Sequence, residues 1–327
     1  MHNFTSYAPL LVKSKLENLF YPLPSYVKRF FEEDFSSKKY LLIAIFLLLA
    51  IGINFTVEFE TKYVALKEFF PRFIRYIAFY SFAYFGGVLI VRLSGSKKNY
   101  LRSPGYWFLS IFAMVVLAFD GSYHGAYDIA KYLVGTSSYV YVGRVLGEVR
   151  NLFTILIPLL VVWWFTRKHY ESFFGLTLKN VIVKPYMLLL LIMLPLIIIA
   201  AQTDSFLESY PMFNAYRMDE KWDIAKIWLV MPYEFFYGSA FLSVELLFRG
   251  FLVIGLARFM GKDAILPMVC VYAFLHFEKP MGEAISSVFG GYLLGIFAYY
   301  SRNIWGGVFV HAGIALMMEA VAALAKM

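Results

Sequence analysis

The sequence predicts an all-α fold, a polytopic transmembrane helical bundle, and three observations carry the prediction. Of the 327 residues, 61% are hydrophobic and only 16% are charged. Mean hydropathy is +0.65, too apolar for a soluble domain of this length. The apolar residues also gather into about nine runs, several of them near the 20 residues a helix needs to cross a bilayer. Aromatics make up 20% of the chain, with 34 Phe and 25 Tyr, as suits a protein with two membrane–water interfaces. The lone Cys270 lies in an apolar run, is expected as a small core residue, and rules out an internal disulfide framework.

Residues 1–39 are expected as a cytoplasmic or interfacial amphipathic segment. Lys13, Lys15, Lys28, Arg29, Lys38 and Lys39 alternate there with Leu16, Leu19, Phe20, Phe30 and Phe31. A cleaved signal would place its apolar core earlier, and Pro22 and Pro24 forbid one long helix. Residues 40–180 are expected to hold the N-terminal membrane helices, with spans at Tyr40 to Phe55, Ile74 to Leu93, Tyr106 to Phe119 and Leu152 to Phe165. Residues 181–327 are expected as a helical core. Its spans run from Tyr186 to Ala201, from Ile224 through Phe241 towards Phe259, from Ala264 to Phe277, from Ala284 to Tyr300 and from Ile304 to Leu324. Spans near 14 residues must borrow flanking residues or lie inside the bundle.

Charge between the spans orients them. Lys97, Lys98 and Arg102, then Arg167, Lys168, Lys179 and Lys184, then Arg258 and Lys262 make basic loops expected on the cytoplasmic side. Asp204, Glu208, Asp219, Glu220 and Asp223 outweigh Arg217 and Lys221 in a loop expected outside. The N-terminus is therefore expected in the cytoplasm, and the membrane is expected to be the bacterial inner membrane. Basic loops facing anionic lipid account for the net charge of +8, and no nucleic-acid-binding spacing is present. The sequence shows no glycine-rich phosphate loop and no paired broken helices of the transporter kind.

Chemistry is expected near the C-terminal end. Glu245 and Arg249 stand one helical turn apart in apolar sequence, and His276 and His311 follow in later apolar runs. A charge at bilayer depth costs roughly 2.5–3.5 kcal/mol on insertion scales, so such residues pair, and they often mark function. Glu245 and Arg249 are expected first as a buried structural i,i+4 ion pair. Each histidine alone can be a satisfied core residue bonding across helices.

Three segments carry a resemblance. Glu245-Leu246-Leu247-Phe248-Arg249-Gly250-Phe251-Leu252, Tyr272-Ala273-Phe274-Leu275-His276-Phe277 and Asn303-Ile304-Trp305-Gly306-Gly307-Val308-Phe309-Val310-His311-Ala312 resemble the motifs of the CPBP (CAAX protease and bacteriocin-processing, ABI) family of intramembrane endopeptidases. The stretch Gly175 to Asn180 resembles a loop that often precedes that core. The resemblance implies a Glu-Glu-x-x-x-Arg helix, an aromatic-x-x-x-His helix and a His-x-x-x-Asn/Asp helix. It implies that the first Glu and first His activate water while the second His and the Asn polarise the scissile carbonyl. A carboxylate in low dielectric is a competent base, and donors aimed at a developing oxyanion stabilise the transition state.

The chain departs from that pattern twice. Glu245 stands four before Arg249 and so takes the second-Glu place, which leaves Val244 at the first; Ala315 stands at the Asn/Asp place. Two readings stay open. In one, Glu245, His276 and His311 form a relocated catalytic set, or Glu234 lends a carboxylate. Glu234 shares the Glu245 face but sits about 16 Å away unless the helix breaks near Pro232 or Gly238. In the other, hydrolysis is lost and the chain is a pseudoprotease, a membrane scaffold that holds a lipid, a membrane-anchored peptide or a protein partner. Two histidines and a glutamate are also a zinc set, but without a His-Glu-x-x-His spacing no cofactor is expected. Asp120, His124 and Asp128 recur every four residues, yet Gly121, Ser122 and Gly125 favour a solvated polar turn over a cation site.

Overall fold

A computed structural model describes residues 21–96, 98–179, 181–213 and 225–326. The basic residues Lys13, Lys15 and Lys97, residue Asn180 and the charged positions 217–223 lie outside the described residues. The described chain is helical, with no strand beyond an isolated bridge between Phe173 and Leu176.

Helix α1 (Leu23–Asp34) starts with Pro24 in its first turn, where a missing N–H is no loss. It lays Leu23 and Phe30 against the bundle and leaves Phe31 outward. Ion pairs fasten its end: Lys39 bonds Asp34 at 2.7 Å and faces Asp263 at 3.8 Å, and Lys262 pairs with Glu33. Helix α2 (Ser37–Val57) and α3 (Phe69–Leu93) are joined through a π turn, Glu60–Val64. Next come α4 (Pro104–Ser122), α5 (Ala126–Asn151, broken at Gly135), a π turn at Leu152–Leu156, and α6 (Ile157–Thr166). Helices α7 (Lys184–Ala200) and α8 (Asp204–Ser209) precede α9 (Ile227–Glu245), which runs on as a π-helix over Leu246–Gly255 into α10 (Ala257–Met260). The last three are α11 (Ile265–Phe274), α12 (Met281–Ser301) and α13 (Trp305–Ala325).

Seven helical runs are long and apolar enough to cross a membrane, against about nine expected. The difference has two sources. The expected sixth and seventh spans join in one run, Ile227–Phe274, and the fifth, Lys184–Ala200, is a shorter apolar helix. Within the long run, Gly261 (φ +63°) turns the chain between α10 and α11, a conformation that side-chain-bearing residues rarely adopt.

Helix α11 is the centre of the packing. All ten of its residues are buried, and it lies between α3 and α12. Lipid tails give apolar helices no reason to associate, so close backbone approach over small residues supplies the contact. A Cβ at Gly87 of α3 would stand 2.9 Å from the Pro267 backbone, and one at Gly291 of α12 would stand 2.8 Å from the Tyr272 ring. We expect Gly87→Ala to cost about 1–3 kcal/mol through overpacking, read as a lower Tm in detergent. Gly52→Ala, which meets nothing within 4 Å, is the control and should leave Tm unchanged.

Where α2 ends, the π turn buries Glu60 at 2% exposure, with Oε2 unpartnered. Its backbone N–H donates to Asn54, and Asn54 in turn donates to the Phe277 carbonyl. The nearby Tyr76 hydroxyl donates to Glu278 at 3.3 Å. Burial, with the Glu278 charge adding to it, pushes the Glu60 carboxyl up to about 8. The folded state therefore keeps a proton that the unfolded chain releases near its ordinary value of 4.5. Stability from this group is full below pH 4.5 and is lost as pH rises towards 8, by a few kcal/mol at most. Thermal melts from pH 5 to 9 should show that fall, and Glu60→Gln should flatten it.

Candidate functional site

The Glu245–Arg249 pair forms where α9 becomes the π-helix. Arg249 Nη1 donates to Glu245 Oε1 at 2.8 Å, and both side chains are 0% exposed. A ten-residue π-helix is rare, and such segments recur at functional sites. Every residue of it is buried here. It packs against the Tyr170–Gly175 loop: a Cβ at Gly250 would stand 2.7 Å from the Phe174 carbonyl, and the Phe174 and Phe251 rings meet edge to face at 5.0 Å. The same loop holds the start of the third motif. The Ile304 N–H donates to the Gly175 carbonyl at 3.1 Å, and Asn303 Nδ2 donates to the Thr177 carbonyl at 2.9 Å.

His311, on α13, reaches the pair. Its Nδ1 lies 3.0 Å from Glu245 Oε1, and since an ionised carboxylate only accepts, Nδ1 carries the proton. In the neutral ring Nε2 is then an acceptor, and the Tyr272 hydroxyl, 3.2 Å away, donates to it. Tyr272 also lies under the guanidinium, with Arg249 Cζ 4.2 Å from its ring centre, a cation–π contact in a dry site.

His276 stands beside Tyr272, in the turn after α11. Its ring centre is 4.6 Å from that of Tyr272, and the His311 centre is 6.0 Å from it. His276 Nδ1 donates to the Tyr272 carbonyl at 2.8 Å, which leaves its Nε2 as an acceptor. Arg249, His276 and His311 therefore meet around one phenol, and Glu245 joins them through Arg249 and His311. Tyr272 itself was legible only as the aromatic that opens the second motif.

One carboxylate oxygen and two guanidinium nitrogens stay open at the centre. Glu245 Oε2, Arg249 Nε and Arg249 Nη2 are buried with no hydrogen-bond partner. Glu245 Oε2 fits only because residue 307 is glycine, where a Cβ would stand 2.2 Å from it. Gly307→Ala should displace the carboxylate and cost about 1–3 kcal/mol. Gly238→Ala, which meets only Leu316 at 3.5 Å, should be tolerated, and paired melts would separate the two.

No carboxylate bonds His276 among the described residues, and the cationic side chains near it are Lys279 and Arg249. Glu234 does not come closer: α9 is continuous through Pro232 and Gly238, and Glu234 faces Glu319 and Glu148 instead. Val244 is half-buried and Ala315 buried beside Tyr233 and Tyr237. Among the described residues no three His, Cys, Asp or Glu side chains converge to hold a metal. Asp120, expected in a solvated turn, is instead buried near the end of α4, accepting from Thr154 and pairing with Arg150, while His124 meets Arg72 and Asp128 is exposed.

Residues 226–317 match the family model for type II CAAX prenyl endopeptidase, Rce1-like, a CPBP-family model. The matched segment contains Glu245, Arg249, His276 and His311 and ends two residues beyond Ala315. No curated protein and no solved structure matches the chain. Together with the seven long apolar helices, this match makes the chain an integral multi-pass membrane protein that sits in a lipid bilayer.

Proposed function

We propose that this protein uses its CPBP-type core to receive a membrane-anchored peptide at the Glu245–His311–His276 site, with endopeptidase chemistry reduced to near background. The membrane we propose is the bacterial inner membrane, with the N-terminus and basic loops in the cytoplasm. One observation carries the reading: Glu245 is spent on Arg249 and His311, and among the described residues no second carboxylate meets His276. A water held at His276 then has one acceptor nitrogen and no carboxylate to take its proton. With Ala315 in place of an amide, one donor to a developing oxyanion is missing as well.

A second reading, relocated catalysis, has its own support. Glu245 holds the His311 Nδ1 proton as a carboxylate does in a hydrolase triad, so Nε2 would be the base once the Tyr272 hydroxyl moves aside. The test uses purified protein in liposomes with a panel of membrane-anchored peptides that carry photo-crosslinkers. The expected result is crosslinking to the α9–α13 face without cleavage. Cleavage by wild type that vanishes in both His276→Ala and His311→Ala would replace the first reading with the second.

A further inference from the structure

The segment Asp204–Phe213 lies across the end of the bundle opposite α1, and several of its contacts are to α13, to the turn that carries His276 and to α12, which follows that turn. The Met212 N–H donates to both oxygens of Glu319, each at 3.0 Å, and Glu319 sits on α13 two turns beyond His311. The Tyr210 hydroxyl donates to Glu283 Oε2 at 3.0 Å in the first turn of α12. Lys279, three residues after His276, donates to Met212 Sδ at 3.7 Å and stands 5.7 Å from the centre of the Tyr210 ring. Arg144 of α5 donates to the Met212 carbonyl at 3.2 Å.

The segment also ends on a column of rings that descends to the site. Phe213 stacks on Tyr233 at 4.7 Å, Tyr233 on Tyr237 at 6.0 Å, Tyr237 meets Phe241 at 5.4 Å, and Phe241 meets His311 at 4.3 Å. Ala315 is buried in the same cluster as Phe213, Tyr233 and Tyr237. The path from His311 to this end of the bundle is thus filled by aromatic side chains and capped by Phe213.

We propose that residues 204–213 are a lid over the His276/His311 site, latched by Glu319 on α13, Glu283 on α12 and Lys279 beside His276, and that the site is reached when this latch opens. The latch is polar, and the segment's apolar hold, Phe206 and Tyr210 against Ile197, Ala201 and Ala322 with Phe213 against Tyr233, belongs to small clusters apart from the main core, so the lid opens locally while the α3–α11–α12 core stays packed. Glu319 is 4% exposed, and its carboxylate accepts the N–H of the half-buried Met212. The name lid for a peptide site rests on the function proposed above; the opening itself is measured without any peptide.

Ala315→Cys reports the opening by its rate of modification with a small methanethiosulfonate reagent in detergent. Native Cys270, 0% exposed in the α11 core, reports global unfolding in the same sample. In the otherwise wild-type chain the 315 thiol should react slowly. Tyr210→Phe and Glu319→Ala should each speed it by about tenfold or more, and Glu319→Gln, which keeps one acceptor, should fall between. Cys270 should stay unreactive throughout. Equal rates at 315 in all variants, or Cys270 rising in step with 315, would overturn the lid. Should Ala315→Cys fail to fold, hydrogen exchange of residues 204–213 in the native sequence decides. Faster exchange there in Glu319→Ala, with α11 unchanged, supports the lid, and exchange unchanged in 204–213 overturns it.

Discussion

Arg249→Ala is expected to yield little folded protein. The substitution leaves the Glu245 carboxylate at 0% exposure with His311 as its only partner among the described residues, and it removes the cation from the face of Tyr272. Breaking a buried pair from one side costs about 3–5 kcal/mol because an uncompensated charge stays behind. A domain stable by about 5–15 kcal/mol loses a large share of its margin to that single change. Glu245→Leu should be as damaging, since it strands a guanidinium of which two nitrogens are already unpartnered. The double variant Glu245→Leu/Arg249→Met distinguishes this account from simple loss of packing. Removing both charges together removes the desolvation penalty, so it should melt well above either single variant. Wild-type Tm in Arg249→Ala would show that the pair does not brace the bundle.

The pair was legible because a charge inside an apolar run has few places to go, and a spacing of four puts Glu245 and Arg249 on one face of a helix. His276 and His311 were legible for the same reason, and the motif order joined them to the pair. What the sequence hid lies between elements far apart in the chain. Nothing local announced that Tyr272 would contact two imidazoles, that Gly307 would make room for Glu245 Oε2, or that Glu319 would hold the Met212 backbone. Leu246 to Gly255 has a helical hydrophobic pattern, and the π register has no sequence signature of its own. The solvent exposure expected at Asp120, His124 and Asp128 holds for His124 and Asp128 and fails for Asp120, which is buried. The four-residue spacing from Asp120 to His124 crosses the break after Ser122, so the two side chains turn to Arg150 and Arg72 instead of to each other. The span count differs only where Ile227–Phe274 runs on as one long helical stretch and Lys184–Ala200 is a shorter apolar helix, and the turn at Gly261 falls between the expected sixth and seventh spans.

Wild-type protein is expected to cleave membrane-anchored peptides at near-background rate, and Val244→Glu with Ala315→Asn is expected to raise that rate. Removing a positioned base costs about 10²–10⁴ in rate, and removing one oxyanion donor about 10²–10³. The residues act on one tetrahedral intermediate, so either restoration alone should recover little, and the gain should appear in the double variant. Both positions can take the longer side chain only at some cost. Val244 is half-buried in the main core and Ala315 is buried against Tyr233 and Tyr237, so a new carboxylate or amide there must find a partner. Rates are therefore read per folded protein, with the melt of each variant beside its activity. A rise in the double variant that disappears with His276→Ala would show that the site keeps its catalytic geometry and lacks only its reacting groups. No rise in a folded double variant would mean that the Glu245–His311–Tyr272 arrangement has itself moved away from peptide hydrolysis, so that binding is what remains for the site to do.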